Sequence, residues 1–379
     1  MITLPTLASL KGTLTGKRVL LRLDLNVPLR DGNVLDAYRI ERSMPTLEFL
    51  RSEGARTIVI AHLGKGKPED SLAPVARYLE KLFPVTFLPD LHSSENARIV
   101  EGMENGSVVL LENLRHDAGE EANDSEFAKL LASYGEIYVN DGFSVSHRAH
   151  ASVVGVASLL PHYAGLLFAE EVAQLEQSLN PERPFLFILG GAKIETKMPL
   201  LKKFLDLADS VFIGGAIVNN FLKVAGKEIG TSVYDADELA GLEAYLNHPK
   251  LILPVDVVVK RGDTSVIVPV DGVHPGDMIV DIGTETIHRL ESVVGSAKLI
   301  VWNGPLGFYE EGFKDGTREL LDLVGGSAGR SIIGGGDTVA LIDEMHAMEK
   351  FTFVSTGGGA MLDFLEAGSL PGIDALRAE

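Results

Sequence analysis

The sequence predicts an α/β protein with two doubly wound parallel sheets, one in each half of the chain. Short apolar runs alternate with longer helical patterns throughout the 379 residues, which is typical of strand–helix units around a parallel sheet. The length corresponds to two or three domains at roughly 150 residues each. A helical pattern at 164–179 closes at Asn180-Pro181, a helix stop signal, and is interpreted as the connector between the halves.

The apolar runs that predict strands are short. In the first half they cover residues 19–25, 57–61, 108–111 and 136–139. In the second half they cover residues 184–189, 210–213, 251–259, 299–302, 331–333 and 351–354. Because ligands of such sheets bind outside the carboxyl ends of the strands, the residues that follow each run are the candidates for function.

The composition excludes several classes of protein. Hydrophobic residues make up 45% of the chain and charged residues 23%, which is ordinary for a globular protein with a large core. The net charge of −19 argues against nucleic acid or an anionic membrane as a partner. The absence of cysteine excludes disulfides, thiolate metal sites and a cysteine nucleophile. The sequence has no apolar run of about 18 residues and no signal region, so a soluble intracellular protein is expected.

Cationic residues are distributed unevenly. Of the 17 arginines, 11 lie in the first 150 residues, whereas 11 of the 17 lysines lie after them. Arginine suits bidentate recognition of carboxylate or phosphate, whereas lysine acts more as a point charge. The two halves could therefore hold different anions, although chance and solvated surface arginines would give the same counts.

The predicted strands of the second half end in glycine-rich segments. Five such segments lie at residues 190–193, 214–215, 303–307, 334–338 and 357–359. Glycine lets the backbone approach a ligand, and amides at a following helix N-terminus attract phosphate. One Gly-Gly pair would indicate only a tight turn, but five at equivalent positions favour phosphate binding.

The common nucleotide fingerprints are absent from the sequence. There is no G-x-G-x-x-G, and the segment nearest to a P-loop, residues 12–18, is one residue short and precedes a strand. H-E-x-x-H and EF-hand patterns are also missing. A nicotinamide-dependent oxidoreductase is therefore disfavoured, and a bound nucleotide would need another set of loops.

The predicted strands of the first half end in polar and cationic residues. Asp24 and Asn26 close the first strand, His62 follows the second, Arg115 the third and Arg148 the fourth. Arg39 lies where the first helix is predicted to begin. A lone arginine or histidine is more often a surface or capping residue. Their convergence at one sheet edge instead predicts a site for a small, strongly anionic ligand.

Taken in order, these segments resemble the phosphoglycerate kinase family. The matching blocks lie at residues 19–28, 62–64, 111–115, 140–150, 189–193, 301–305, 333–338 and 355–360. The resemblance thus covers nearly the whole chain. Each block is moderately specific, and their ordered set is very specific.

The resemblance implies a reversible phosphoryl transfer of glycolysis, in which 1,3-bisphosphoglycerate and MgADP give 3-phosphoglycerate and MgATP. The substrates would bind on separate domains across a deep interdomain cleft that closes around a hinge helix. A monomeric cytoplasmic enzyme is expected, with no nucleic acid or membrane partner. The implied parts are a phosphoglycerate-binding domain at residues 1–165, an interdomain helix at 166–180, a nucleotide-binding domain at 181–362 and a C-terminal segment at 363–379 that returns to the N-terminal domain.

The resemblance also assigns the phosphoglycerate site. Arg115 and Arg148 would hold the phosphate that is not transferred, Asp24 and Asn26 the hydroxyl and carboxyl end, and Arg39 the transferring group. The remaining substrate-binding residues would be His62, Leu63, Gly64 and Lys65.

In the nucleotide site, Lys193 and Lys197 would bind the nucleotide phosphates and the phosphoryl group that is being transferred. Asp337 would bind Mg²⁺, which accepts one or two carboxylates besides phosphates and water. Glu310 would bind the ribose. The other implied nucleotide ligands are Gly191, Gly215, Gly283, Asn303, Pro305, Gly335, Gly336 and Thr338. The amides of Gly357, Gly358 and Gly359, with Arg39 and both lysines, would stabilise charge during in-line transfer.

The chain departs from the family pattern at several positions. Lys65-Gly66 replaces the usual Arg-Pro, which keeps one charge but loses bidentate geometry. Residues 116–117 and 142–146 also differ, and Thr284 occupies a usual proline position. A non-catalytic descendant should have lost the reactive cations or the metal-binding carboxylate. Arg39, Lys193, Lys197 and Asp337 are all present, which favours an active enzyme.

Overall fold

The computed structural model describes residues 2–195 and 197–378. They form two compact units: unit 1 contains Met1–Ala173 and Ser369–Glu379, and unit 2 contains Gln174–Gly368. The chain passes from unit 1 to unit 2 within a helix at Leu166–Glu176. No helix of the described part of the chain combines the length and apolar character needed to cross a membrane.

Unit 1 is built around a six-stranded sheet. The eight strands in the described part of unit 1 are β1 (Arg18–Arg22), β2 (Leu29–Arg30), β3 (Asn33–Val34), β4 (Arg56–Ile60), β5 (Val85–Leu88), β6 (Val108–Leu111), β7 (Ile137–Asn140) and β8 (His162–Ala164). The sheet has the order β5-β6-β4-β1-β7-β8, and β2 pairs with β3 in a separate antiparallel ribbon. All pairs of the large sheet are parallel, so the carboxyl ends of its strands share one edge.

Helices cover the sheet of unit 1. They are α1 (Tyr38–Ser52), α2 (Ala73–Leu79), α3 (Glu95–Glu101), α4 (Ala118–Ala122), α5 (Ser125–Ser133) and α6 (Leu166–Glu176). The central strands are buried almost throughout, as expected for a parallel sheet covered on both faces. At α5 the side chain of Asp124 accepts hydrogen bonds from the amides of Glu126 and Phe127, an N-cap that fixes where the helix begins.

Unit 2 contains a second six-stranded parallel sheet and a small antiparallel one. Its strands are β9 (Phe185–Leu189), β10 (Ser210–Ile213), β11 (Leu251–Ile252), β12 (Asp256–Arg261), β13 (Thr264–Pro269), β14 (Met278–Ile282), β15 (Leu299–Asn303), β16 (Arg330–Gly334) and β17 (Phe353–Val354). The large sheet has the order β11-β10-β9-β15-β16-β17 and the small one β13-β12-β14. The two parallel sheets confirm the predicted fold class.

The helices of unit 2 follow its strands. They are α7 (Met198–Leu207), α8 (Ile217–Val224), α9 (Glu243–Leu246), α10 (Thr284–Ser296), α11 (Asp315–Gly325), α12 (Gly336–Glu344) and α13 (Gly359–Ala367). The apolar run at 251–259 is not one strand, because β11 joins the large sheet and β12 the small one. Pro254 lies between them, and proline has no N–H for a strand ladder.

A last helix, α14 (Pro371–Arg377), belongs to unit 1. The amide of Gly372 donates to the carbonyl of Ser146 over 2.9 Å. A Cβ at 372 would meet the side chains of Ser146 and Val153, so glycine permits this close approach.

Candidate functional site

The turn after β1 and the start of α1 form a hydrogen-bonded cluster in unit 1. Asp24 lies at the carboxyl edge of the sheet, and its Oδ2 is 3.0 Å from Nη1 of Arg39. Its Oδ1 accepts from the amide of Asn26 over 3.0 Å. Nη1 of Arg39 also donates to the carbonyl of Asn26 over 2.9 Å. The structure therefore brings Asp24, Asn26 and Arg39 together.

The Asp24 carboxylate is buried and charged. Burial acts to raise the pKa of Asp24, but the positive charge of Arg39 and hydrogen bonds from Ser144 and the Asn26 amide hold that pKa below its ordinary value. The Ser144 hydroxyl donates to Oδ2. Ser144 lies in one of the segments that depart from the family pattern, and sequence reasoning gave it no role.

A tight loop after β4 carries His62, Leu63, Gly64 and Lys65. The Gly64 amide donates to Oδ1 of Asn26 over 2.9 Å. The amides of Lys65 and Lys67 donate to one oxygen of Asp70, over 2.8 and 3.0 Å. The side chain of Lys65 is exposed, whereas the backbone of the loop is fixed by its hydrogen bonds to Asn26 and Asp70.

Asn113, after β6, connects this loop to Arg115. Its Oδ1 accepts from the amides of Leu63 and Arg115, each over 3.1 Å, and its Nδ2 donates to the carbonyl of Leu63. The guanidinium of Arg115 donates to the carbonyl of Gly64 and lies 3.2 Å from the Glu121 carboxylate. Asn113 is fully buried and was not predicted, because an asparagine beside a strand gives no specific signal.

His62 is buried beside Arg22, which is also buried and was not predicted as a site residue from the sequence. Nη2 of Arg22 lies 3.2 Å from Nδ1 of His62. Burial and the positive charge of Arg22 together lower the pKa of His62 to about 2. Arg148 lies further out and is exposed, and its Nε donates to Nε2 of His147 over 3.1 Å.

In unit 2, the carboxyl ends of the strands surround a cavity of about 580 Å³. Most residues predicted for the nucleotide line it: Gly191, Lys193, Lys197, Gly215, Asn303, Pro305, Glu310, Gly335, Gly336, Asp337, Gly358 and Gly359. Its volume lies in the range of small-molecule sites. Gly283, Thr338 and Gly357 are not among the lining residues.

These three residues have other surroundings. Gly283 precedes α10, and a Cβ there would collide with the Asp256 carboxylate, which caps α10 at Glu285 and Thr286. Thr338 is fully buried in the first turns of α12, and its hydroxyl has no hydrogen-bond partner in the described part of the chain. The carbonyl of Gly357 accepts from the amide of Ala360 at the start of α13.

Lys197 is the buried cation of this cavity. It is 9% exposed, and its ammonium group donates to the carbonyl of Gly190. Burial lowers the pKa of Lys197 to about 8, against the opposing effect of Asp337. Lys193 also lines the cavity and is exposed.

Asp337 lies in the first turn of α12 and lines the same cavity. Burial and the negative charge of Glu310 raise the pKa of Asp337, and Lys197 opposes them. Among residues 2–195 and 197–378 no group of three or more His, Cys, Asp or Glu side chains could hold a metal ion alone. One half-buried carboxylate facing another acid fits a Mg²⁺ ion that also takes phosphate oxygens and water.

Two further residues of the cavity wall were not predicted. Asp281 is the penultimate residue of β14, and its carboxylate accepts from the amides of Ile282 and Gly316 over 2.8 and 3.0 Å. Burial raises the pKa of Asp281 to about 7. Asn219 is buried in α8, and its Nδ2 donates to the carbonyl of Val233 over 2.8 Å. Both lie in apolar segments, where a single polar residue gives no specific signal of a site.

Comparisons with known proteins agree with this architecture. A family model described as "Phosphoglycerate kinase" matches residues 10–368. A phosphoglycerate kinase of Borrelia hermsii is 42% identical over 380 residues, which cover 96% of this chain and 97% of that protein. One from Methylorubrum extorquens is 44% identical over 389 residues, which cover 97% of each chain.

Solved structures show the same likeness. The phosphoglycerate kinase of Coxiella burnetii has a TM-score of 0.84 and 37% identity, covering 99% of this chain and 98% of that one. The enzyme of Pyrococcus horikoshii has a TM-score of 0.87 and 30% identity, covering 98% of both chains. The fold and these matches define a kinase with two parallel-sheet domains. The chain belongs to the phosphoglycerate kinase family, which confirms the resemblance drawn from its motifs.

Proposed function

We propose that this chain transfers a phosphoryl group reversibly between 1,3-bisphosphoglycerate and ADP, giving 3-phosphoglycerate and ATP in glycolysis. The observation that carries the proposal is the distribution of anion-binding groups between the two units. Unit 1 has an arginine-rich strand edge, and unit 2 has a glycine-rich cavity with a buried lysine. Membership of the phosphoglycerate kinase family supports the same activity.

The phosphoglycerate is proposed to bind at the strand edge of unit 1. Asp24 and Asn26 take its hydroxyl and carboxyl end, and Arg39 reaches the transferring phosphoryl group. Arg115 and Arg148 hold the other phosphate, with His62, Leu63, Gly64 and Lys65 completing the site. Three guanidinium groups suit a ligand of high negative charge. The exposed ammonium group of Lys65 can contribute only a point charge.

The nucleotide is proposed to bind in the cavity of unit 2. Lys193 and Lys197 face its phosphates and Glu310 its ribose, while Gly191, Gly215, Asn303 and Pro305 line the base and sugar. The amides at the starts of α12 and α13, from Gly335, Gly336 and Gly357–Gly359, favour phosphate oxygens. Gly283 and Thr338 remain proposed nucleotide residues, acting from positions outside the lining of the cavity.

Mg²⁺ is proposed to arrive with the nucleotide and to be held by Asp337. When bound, the ion neutralises phosphate charge. This role of Asp337 is supported by the repulsion between its carboxylate and that of Glu310, which a bound cation would relieve.

The chemistry needs no side-chain nucleophile, because an acyl phosphate already carries a good leaving group. The required contributions are in-line placement and stabilisation of charge on the equatorial oxygens. Arg39, Lys193 and Lys197 are proposed to supply that charge, with the amides of Gly357, Gly358 and Gly359. Losing one such donor typically costs about 10²–10³ in rate.

We also propose a domain organisation for this enzyme. Residues 1–165 would form the phosphoglycerate domain and 181–362 the nucleotide domain, joined through 166–180. The C-terminal segment proposed at 363–379 would return to the first domain from Ser369 on, because residues up to Gly368 belong to unit 2. Closure of the domains on both substrates is predicted, and X-ray scattering should show compaction when both are added. The enzyme is proposed to be a monomer that works in the cytoplasm.

A coupled assay with MgATP and 3-phosphoglycerate tests the function. Wild type should turn over, and Arg39→Ala and Lys197→Ala should each lose about 10²-fold or more in kcat/KM. Arg98→Ala and Lys202→Ala, exposed positions outside the proposed sites, are the matched controls and should keep wild-type rates. An inactive wild type, or fully active Arg39 and Lys197 variants, would contradict the proposal.

A further inference from the structure

Arg22 is a fully buried arginine at the end of β1. Its Nε donates to the Ser152 hydroxyl over 2.8 Å, and Nη1 donates to the carbonyl of Leu23. Its Nη2 faces Nδ1 of His62 at 3.2 Å. A buried charge is tolerated only where its donors find partners, and here one of the partners is an imidazole of the proposed substrate site.

The position of Arg22 is fixed by a buried network. Ser152 accepts from Arg22 and donates its own hydroxyl to Oε1 of Glu120 over 2.6 Å, while its amide donates to Oε2 over 2.9 Å. The Tyr138 hydroxyl donates to the carbonyl of Ser152 over 2.6 Å. Glu120 is also fully buried, so the charges of Arg22 and Glu120 compensate each other through Ser152. Networks of this kind leave few alternative arrangements.

The contact with Arg22 decides which nitrogen of His62 carries the proton. A guanidinium group has only donors, so Nδ1 of His62 must offer a lone pair. In a neutral imidazole the other nitrogen, Nε2, then carries the hydrogen. Within the described part of the chain Nε2 has no hydrogen-bond partner.

We propose that Arg22 is a positioning residue that fixes His62 as the neutral Nε2–H tautomer, so that Nε2–H donates a hydrogen bond to an oxygen of the bound phosphoglycerate. The identity of the ligand rests on the proposed function. The tautomer does not, because it follows from contacts within unit 1.

The charges around His62 favour the neutral ring over the working pH range. Arg22 from β1, Arg115 from the turn after β6 and Arg148 from the segment after β7 disfavour the imidazolium, and Asp24 favours it. Burial is the largest influence, and the pKa of His62 falls to about 2. Because the pKa of His62 lies below its ordinary value, the ring is neutral throughout the working pH range. The arginines therefore supply the positive charge and His62 supplies a directional donor.

The tautomer is tested by NMR on protein labelled with ¹⁵N-histidine, without ligand. The signal of His62 among the 10 histidines is assigned by its loss in His62→Gln. The proposal expects the Nε2–H coupling pattern, unchanged from pH 8 to pH 5. A proton on Nδ1, or titration of His62 near the ordinary value of about 6.5, would overturn it.

Two variants connect the tautomer to function. In Arg22→Gln the pKa of His62 should rise from its wild-type value, because one of the charges that disfavour the imidazolium is lost while burial remains. The Nε2–H tautomer should no longer be held exclusively, and KM for 3-phosphoglycerate should rise about 3–10-fold with kcat largely kept. Ser152→Ala, a milder change, should loosen Arg22 and give the same effects at smaller size. A wild-type KM together with an unchanged Nε2–H tautomer in both folded variants would overturn the proposal, whereas an inactive wild type with the expected tautomer would contradict only the proposed function.

Discussion

Gly191 lies so close to the ammonium group of Lys197 that a Cβ at position 191 would stand 2.5 Å from Nζ. The residue also has a φ of +96°, in the region that favours glycine. The glycine at 191 therefore makes room for the lysine that is proposed to act on the phosphoryl group.

Gly191→Ala is expected to displace Lys197 and lower kcat/KM by about 10-fold or more, while the protein stays folded. Gly226→Ala is the matched control, since Gly226 has a φ of +73° but nothing lies within 4 Å of the place that a Cβ would take. Steady-state kinetics and thermal unfolding are measured for both variants. Backbone strain should destabilise both, whereas displacement of Lys197 should lower the activity of Gly191→Ala alone. Equal activity of the two variants would contradict the role of the close approach.

Nucleotide affinity should depend on pH through Lys197. Its pKa is lowered to about 8 by burial, so the ammonium is charged below pH 8 and loses its proton as pH rises through that value. Affinity for MgADP should therefore fall between pH 7 and pH 9. Calorimetric titrations across this range, with Lys197→Met as the comparison, measure the effect. An equal pH dependence in Lys197→Met would assign it to another group.

Ser144→Ala is expected to weaken binding of 3-phosphoglycerate. The hydroxyl donates to the buried Asp24 carboxylate, and hydrogen bonds to charged groups contribute roughly 1.5–3 kcal/mol. KM should rise about 10-fold with kcat little changed, because the pair of Asp24 with Arg39 persists. Ser133→Ala, which removes an exposed hydroxyl from α5, should leave KM unchanged. An unaltered KM in Ser144→Ala would remove Ser144 from the site.

Asp141 should make the stability of unit 1 depend on pH. Its carboxylate accepts from the amide of Phe168 in α6 over 3.0 Å, and burial raises its pKa to about 6. Because the folded value exceeds the ordinary 3.8, the stabilising contribution is complete below about pH 4 and is lost as pH rises through 6.

Asp141→Asn removes this titration and should gain stability relative to wild type on going from pH 4.5 to pH 8. The change in relative free energy of unfolding should be about 2–3 kcal/mol, from roughly two pKa units at 1.36 kcal/mol each. Urea unfolding followed by circular dichroism measures it. Fluorescence of Trp302, which lies in unit 2, serves as the internal control: the unfolding that it reports should be the same in Asp141→Asn and wild type. A difference between variant and wild type that is constant with pH would contradict the prediction.

Both parallel sheets could be predicted because their strands are buried on two faces and are followed by polar or glycine-rich turns. Asp24 was predicted from the same rule, Arg39 from its place at the predicted start of the first helix, and Lys197 from the resemblance to the family. Arg22 was not, because it lies inside an apolar run and its role depends on Ser152, which is 130 residues away in the sequence. The small sheet was also missed, since Pro254 divides one apolar run and β13 is largely exposed. Contacts of this kind exist only once the chain has folded.

The membership of α14 in unit 1 has a consequence for synthesis on the ribosome. Gly372 pairs with Ser146 across the whole of unit 2 in the sequence, so the domain that is translated first cannot be completed until the other has left the exit tunnel. Unit 2, from Gln174 to Gly368, is one uninterrupted segment and needs none of the residues that follow it. Unit 1 must wait, and its final contact joins segments of large sequence separation, which is slow to form. In vectorial folding, unit 1, which carries the proposed phosphoglycerate site, is therefore completed only once the C-terminal segment is available.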